Sequence, residues 1–223
     1  MTMTLNEAME ARHSVRSYLE KPLSKEAYEE LTKEIEDINL STGLHLQLVT
    51  NEPKAFSGAL ARYGSFSGVS NYIALIGPKG KDLAEKCGYY GEKLVLKAQQ
   101  LGLNTCWVAL TFKKIPEAFV IEKGEKLVMV IALGYGKTQG TAHKGKKLGE
   151  LYKAEGNVPR WFTDGVYAAS LAPTAMNQQK FTFLYKDGNV EVKTGFGVHT
   201  DTDLGIVKYH FEAGAELPGF FGL

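Results

Sequence analysis

The chain has 223 residues, 44% of them apolar, and a formal net charge of +1. That is enough length for one large domain or two small ones, and enough apolar content for a core without covalent staples. The near-neutral charge excludes the strong basic excess of a general nucleic-acid or membrane-surface binder. Cys87 and Cys106 lack Cys-x-x-Cys spacing and make no metal cage. Residues 1–10 carry no apolar leader segment, so the expectation is reduced thiols and a cytoplasmic protein. The longest apolar run, Leu127 to Leu133, is too short to span a bilayer.

In chain order, residues 3–12 read as a short helix and Ser14–Tyr18 as an extended connector. Ser24 is a candidate N-cap for a helix from Lys25 to about Ile38, with Glu26 and Glu29 in its early turns. Leu44–Thr50 alternates as a strand does, and Lys54–Gly68 is irregular or briefly helical. Asn71–Ile76 reads as a strand stopped by Gly77-Pro78. Lys81–Leu101 reads as a helix, weak at Gly88 and Gly91 and ended by Gly102. Lys126–Leu133 has strong β character, and 138–147 is basic and flexible. A helix follows at about Arg160–Leu171. Strands come next at Phe181–Lys186 and Val190–Lys193, joined by the hairpin pair Asp187-Gly188, and then a helix over Asp203–Ala213.

Two segments carry chemistry on their own. Ala-Arg-His-Ser-Val-Arg-Ser-Tyr at 11–18 packs Arg12, His13, Ser14 and Arg16 into five positions. Two guanidinium forks and a hydroxyl suit a phosphate. Leu-Ala-Pro-Thr-Ala-Met-Asn-Gln-Gln-Lys-Phe at 171–181 is a small-residue turn followed by amides, which suits a flat polar heterocycle. The common alternatives are absent. No Gly-x-Gly-x-x-Gly opens a helix after a strand, and there is no Gly-x-Ser-x-Gly elbow or His-Glu-x-x-His motif. The five histidines are scattered without metal-ligand spacing. No carboxylate pair, Cys-His or Ser-His set stands beside the two segments, so no side chain is expected to act as essential acid, base or nucleophile.

Together the two segments resemble the flavin site of the nitroreductase family. Arg12, His13, Ser14, Arg16 and Tyr18 fill that family's Arg-(Arg/His)-Ser-x-Arg-x-(Phe/Tyr) pattern. Pro173, Thr174, Ala175 and Asn177, with Ala172 and Gln179, match its Ala-Pro-Ser-Ala-x-Asn-x-Gln-Pro, whereas Lys180 stands where the family usually has Pro. Gly102-Leu-Asn-Thr-Cys-Trp-Val-Ala-Leu-Thr-Phe112 resembles a third stretch. There a backbone amide, here that of Ala109 or Leu110, points at flavin N5. By position, Arg62 matches a positive side chain near the flavin pyrimidine edge. Lys146 or Lys147 matches a basic residue that closes over the phosphate.

The resemblance implies an α+β, nitroreductase-like fold with a central, mostly antiparallel sheet flanked by helices. It implies FMN as cofactor and hydride transfer from NAD(P)H to a nitroaromatic, quinone or other small acceptor. A non-enzymatic FMN-binding or flavin-sensing protein is the alternative. The two motifs lie farther apart than in ordinary members, and a weak repeat accompanies this: 94–103 aligns with 206–215. The expectation is an internally duplicated pseudo-dimer. Residues 1–137 form a first half, 138–158 a basic connection and 159–223 a diverged second half. No partner chain is then needed to build the flavin site, and no metal, nucleic acid or membrane is involved.

Overall fold

The computed structural model describes residues 3–223, which divide into two compact units. The first comprises Ala11–Leu83 and Leu94–Ala142; the second comprises Met3–Glu10, Ala84–Lys93 and His143–Leu223. The chain therefore interleaves the units rather than completing one before starting the other.

The first unit is built on a four-stranded antiparallel sheet in the order β1-β2-β4-β3. The strands are β1 (Gln47–Val49), β2 (Asn71–Pro78), β3 (Asn104–Val108) and β4 (Glu125–Gly134). The apolar run at 127–133 becomes central strand β4, flanked by β2 and β3 and buried throughout except at Val128. A strand covered on both faces needs no polar alternation. After the short helix α1 (Leu5–Ala11), helix α2 (Lys25–Thr42) begins where expected, because the Ser24 side chain accepts from Ala27 N. Such a cap contributes about 1 kcal/mol. The helix runs four residues past the expected end and stops at Gly43, whose left-handed φ of 71° lets its N–H reach Asn39 O. Ala27, Leu31, Ile35 and Ile38 form its buried stripe. Below the sheet, Phe56, Phe66, Tyr72, Phe112 and Phe119 make one aromatic cluster.

The second unit contains α5 (Arg160–Ser170) and α6 (Thr200–Ala215) beside a three-stranded sheet in the order β5-β6-β7. Strand β6 (Phe181–Lys186) pairs antiparallel with β7 (Asn189–Thr194) across Asp187-Gly188. Both turn residues have positive φ, 49° and 83°, as a two-residue hairpin with the favoured twist requires. Phe183 stacks on Phe211 at 4.7 Å, and Phe162 and Trp161 close the cluster edge-on. His210, fully buried, lies 2.9 Å from Glu92 and 3.0 Å from the Ala168 carbonyl.

Three features differ from the sequence expectation. Asn104–Val108 is a strand, and so is Tyr152–Glu155 (β5), which lies inside the basic connection and pairs parallel with β6. The other is α4, which runs unbroken from Leu83 to Gln100 through Gly88 and Gly91. Gly88 is a contact rather than a weak point. A Cβ there would lie 2.1 Å from Thr202 O, and one on Gly205 would lie 1.9 Å from Glu85 O. Two backbones meet at that crossing, and a side chain on either glycine would separate them. Among the described residues no helix is long and apolar enough to cross a membrane.

Candidate flavin site

In the first unit the 12–18 segment is an extended strap laid on the sheet edge. Ser14 bridges Thr105 of β3 in parallel, and Val15 N donates to Thr105 O at 3.0 Å. Farther along, Tyr18 N donates to Ser67 O, Ser67 N to Arg16 O, and Lys137 N to Ser17 O. Tyr18 is buried, and its hydroxyl donates to Val15 O at 2.6 Å. Every third residue, Arg12, Val15 and Tyr18, is buried, a spacing that the two-residue alternation of a regular strand does not give. Val15 and Tyr18 are buried, Arg16 is exposed, and His13 and Ser14 are half-buried. Arg12 is the charged member of that buried set, with only 4% exposure.

The strap brings Arg12, Ser14 and Arg16 to the same place, around Cys106 of β3. The Ser14 hydroxyl is hydrogen-bonded to the thiol. Burial pushes the thiol pKa up, and the two guanidiniums oppose this without cancelling it. Cys106 is therefore a packed thiol rather than a nucleophile. The Arg16 guanidinium lies 6.0 Å from the centre of the Phe66 ring. The loop after β4 is packed onto the strap. A Cβ on Gly140 would lie 2.7 Å from His13 Cβ, and Asn104 ties Gly136 and Gln139 to the strand below.

Arg62 sits exposed in the last turn of α3 (Ala59–Tyr63). Ala109 and Leu110 form the turn after β3, and Leu110 is 76% exposed. The end of α3 packs on this turn, because a Cβ on Gly64 would lie 2.6 Å from Thr111 Oγ1. The first unit thus holds Arg12, His13, Ser14, Arg16, Arg62, Ala109 and Leu110.

The second unit holds Lys146, Pro173, Thr174, Ala175 and Asn177. The 173–180 turn is built quite differently from the strap. Met176, Asn177 and Gln179 all have left-handed φ, 52°, 52° and 42°. Each such non-glycine residue costs of order 1 kcal/mol or more. Side chains hold the conformation. The Thr174 hydroxyl accepts from Gln179 N at 3.0 Å. Asp203 accepts from Ala175 N and from the Gln178 side chain, both at 2.9 Å. Gln179, 1% exposed, accepts from Lys146 N at 2.6 Å and donates to Ser170 O at 2.9 Å. Lys146 Nζ donates to Gln179 O at 2.7 Å, so one of its three donors is committed to the turn. Asn177 donates to Lys144 O at 3.1 Å.

Asp203 is the residue that sequence reasoning overlooked. It lies in the first turn of α6 and is 6% exposed. Burial raises its pKa above 3.8, against the opposing hydrogen bonds from Gln178 and Ala175. An acidic residue in a helix's first turn is common enough to pass unnoticed. Among the described residues no group of three or more His, Cys, Asp or Glu side chains is arranged to hold a metal.

An antiparallel sheet carrying helices, with a basic strap on its edge, and a second helix-and-sheet unit carrying the amide turn define an α+β protein of nitroreductase type. A family model described as "Putative TM nitroreductase" matches residues 4–215, and the chain belongs to that family. Membership implies an oxidoreductase.

Three solved structures share the fold. One, titled a putative nitroreductase from Thermotoga maritima, is 23% identical with a TM-score of 0.68, covering 96% of this chain and 84% of its own. A second, from Desulfovibrio desulfuricans, is titled a putative nitroreductase in complex with FMN. It is 19% identical with a TM-score of 0.55, covering 70% of this chain and 98% of its own. A third, from Bacteroides thetaiotaomicron, is titled a putative NADH dehydrogenase/NAD(P)H nitroreductase. It is 18% identical with a TM-score of 0.51, covering 64% and 94%. No curated protein matches the chain.

Proposed function

We propose that the protein is an FMN-dependent oxidoreductase that takes hydride from NAD(P)H and delivers reducing equivalents to a small nitroaromatic, quinone or similar acceptor. The observation that carries the reading is the strained 173–180 turn. Three left-handed non-glycine residues within four positions, on the very string that matches the family's ring-contacting motif, support a conformation kept for a ligand.

The donor set of the strap fits the phosphate of FMN. Residues 11–18 carry two arginines, a histidine and two serines, and no carboxylate. Arg12 and Arg16 would fork onto phosphate oxygens, Ser14 would add a hydroxyl, and His13 would donate or flank the ribityl chain. Lys146, with two donors left, would close from the basic loop. Pro173, Thr174, Ala175 and Asn177 would pack on and hydrogen-bond the ring. The amide of Ala109 or Leu110 would donate at N5, and Arg62 would stand at the pyrimidine edge, where positive charge favours the reduced anion. When bound, FMN supplies the two-electron chemistry. The chain's residues anchor, orient and exclude water, and none is required as an acid or base.

Each motif is present once. The first half's corresponding turn, Ser41-Thr42-Gly43, lacks the amides, and the second half has no Arg-x-Ser-x-Arg. This supports a duplicated single-chain pseudo-dimer, with halves at 1–137 and 159–223 joined through 138–158. It would hold one complete flavin site and need no partner chain. Free thiols at Cys87 and Cys106 support a cytoplasmic location.

The test is titration of apo protein with FMN and with riboflavin, followed by anaerobic addition of NADH or NADPH. The reading expects tight FMN binding, much weaker riboflavin binding and bleaching of the flavin band. Tight binding without bleaching would make the protein a flavin binder or sensor. No binding would remove the reading.

A further inference from the structure

The 173–180 turn has a companion loop that the flavin reading does not use. Between β7 and α6 the chain reads Gly195-Phe196-Gly197-Val198. Phe196 is 98% exposed, more than any other large apolar residue among those described. Such a ring is ordinarily a sign of a loose loop, yet this backbone is clamped. Gly195 N donates to Lys180 O at 2.9 Å. Lys180 Nζ donates to Phe196 O at 2.6 Å, and the Gln178 side chain donates to Val198 O at 2.7 Å. The two clamping side chains lie close over Gly197, where a Cβ would lie 2.4 Å from Gln178 Oε1 and 3.0 Å from Lys180 Cδ, so a side chain there would push them aside.

Two of the three clamping donors are side chains of the amide turn itself, and one is Lys180, where this chain departs from the family's usual Pro. A proline could give the main-chain carbonyl but no ammonium. The departure therefore has a structural consequence: it ties an exposed aromatic ring to the turn assigned to the flavin.

We propose that Phe196 is a specificity-determining contact for planar aromatic electron acceptors, and that Lys180 is the residue that positions it. The proposal rests on the flavin reading of the 173–177 turn. A ring fixed at its backbone and bare on its faces can stack on a flat acceptor in offset or edge-on geometry. It gives nothing to an acceptor without a ring.

The test uses the FMN-loaded protein, reduced with one equivalent of NADH and mixed with 1,4-naphthoquinone or with ferricyanide, which has no ring. Phe196→Ala is expected to lower the second-order rate constant for naphthoquinone about tenfold, the loss of one stacking contact, and to leave ferricyanide within about twofold. A second readout needs no turnover. The redox-inert 2-naphthol, titrated into oxidised holoprotein through its effect on the flavin spectrum, should bind about tenfold more weakly to Phe196→Ala and normally to Phe196→Trp. Lys180→Ala should shift both readouts in the same direction by less, and Lys180→Arg should restore them.

Unchanged naphthoquinone and 2-naphthol behaviour in flavinated Phe196→Ala would overturn this proposal alone. So would a change in oligomeric mass on that substitution, which would assign the ring to a second copy of the chain. A wild-type protein that takes up no FMN would overturn the flavin reading and this inference with it.

Discussion

The basic strap at 12–18 and the amide turn at 173–180 show two ways of fixing a loop segment. The strap has no residue of positive φ and is held by main-chain bonds with Thr105, Ser67 and Lys137, as any edge strand would be. The turn has three left-handed residues and is held by the side chains of Thr174, Gln178, Gln179, Asp203 and Lys146. Geometry built from backbone survives substitution of the outward-facing side chains. Geometry built from side chains does not, because each one removed leaves buried donors unmatched and the strain uncompensated. Mutations should therefore separate the regions: those in the strap change affinity, and those beneath the turn change folding as well.

The largest effect is expected at Asp203. Asp203→Ala leaves Ala175 N without its acceptor and removes one of the two bonds of the Gln178 amide, which keeps Val198 O, and the loss of these two bonds should cost about 3 kcal/mol. Denaturant unfolding of apo protein would measure it; a loss no larger than that of an exposed substitution would show that the turn is not held from below. In the strap, Arg16→Ala should leave apo stability nearly unchanged and weaken FMN binding by about 1.5–3 kcal/mol, the worth of one charged hydrogen-bonding partner. Titration of the apo variant would check this, and an unchanged Kd would return Arg16 to the solvated surface.

Met176 gives a change of opposite sign. Its side chain is 89% exposed, so Met176→Gly loses little packing and relieves one left-handed residue. Stability should rise by up to about 1 kcal/mol. A fall in the unfolding midpoint would mean that the side chain is covered in solution.

The smallest effect is a pH dependence. Asp203 has a folded-state pKa above 3.8, caused first by burial. A raised acid favours the protonated form in the folded state. Its contribution is thus greatest below 3.8, falls as pH rises through the raised value, and is flat above it. Asp203→Asn should remove that slope; an identical slope in wild type and variant would assign it to other groups.

The contrast also explains what the sequence made legible. Ser24, the apolar run at 127–133 and Asp187-Gly188 act through local geometry, and the elements they announce are present, whereas the stop at Gly43 was not read and α2 runs past its expected end. Strand β5 was hidden because Tyr-Lys-Ala-Glu is an edge strand with three exposed residues and no alternation to read. Gly88 was misread because helix propensity marks a glycine as weak, whereas its purpose here lies 114 positions away at Thr202. The residues of both motifs proposed to meet the flavin stand together as strings in the sequence. Asp203 and the Lys146–Gln179 bonds were not legible there, because they join positions 25 to 33 apart in sequence and act on the motif from beneath.

The central claim is that strap and turn belong to one flavin site within one chain. Native mass spectrometry of the FMN-saturated protein tests it most directly, with Arg16→Ala and Thr174→Ala/Asn177→Ala chains measured alone and mixed. The account predicts one FMN per wild-type chain, weakened binding in both variants and no recovery when they are mixed. Two FMN per chain, or a mixture that regains wild-type binding by sharing intact motifs between chains, would contradict it.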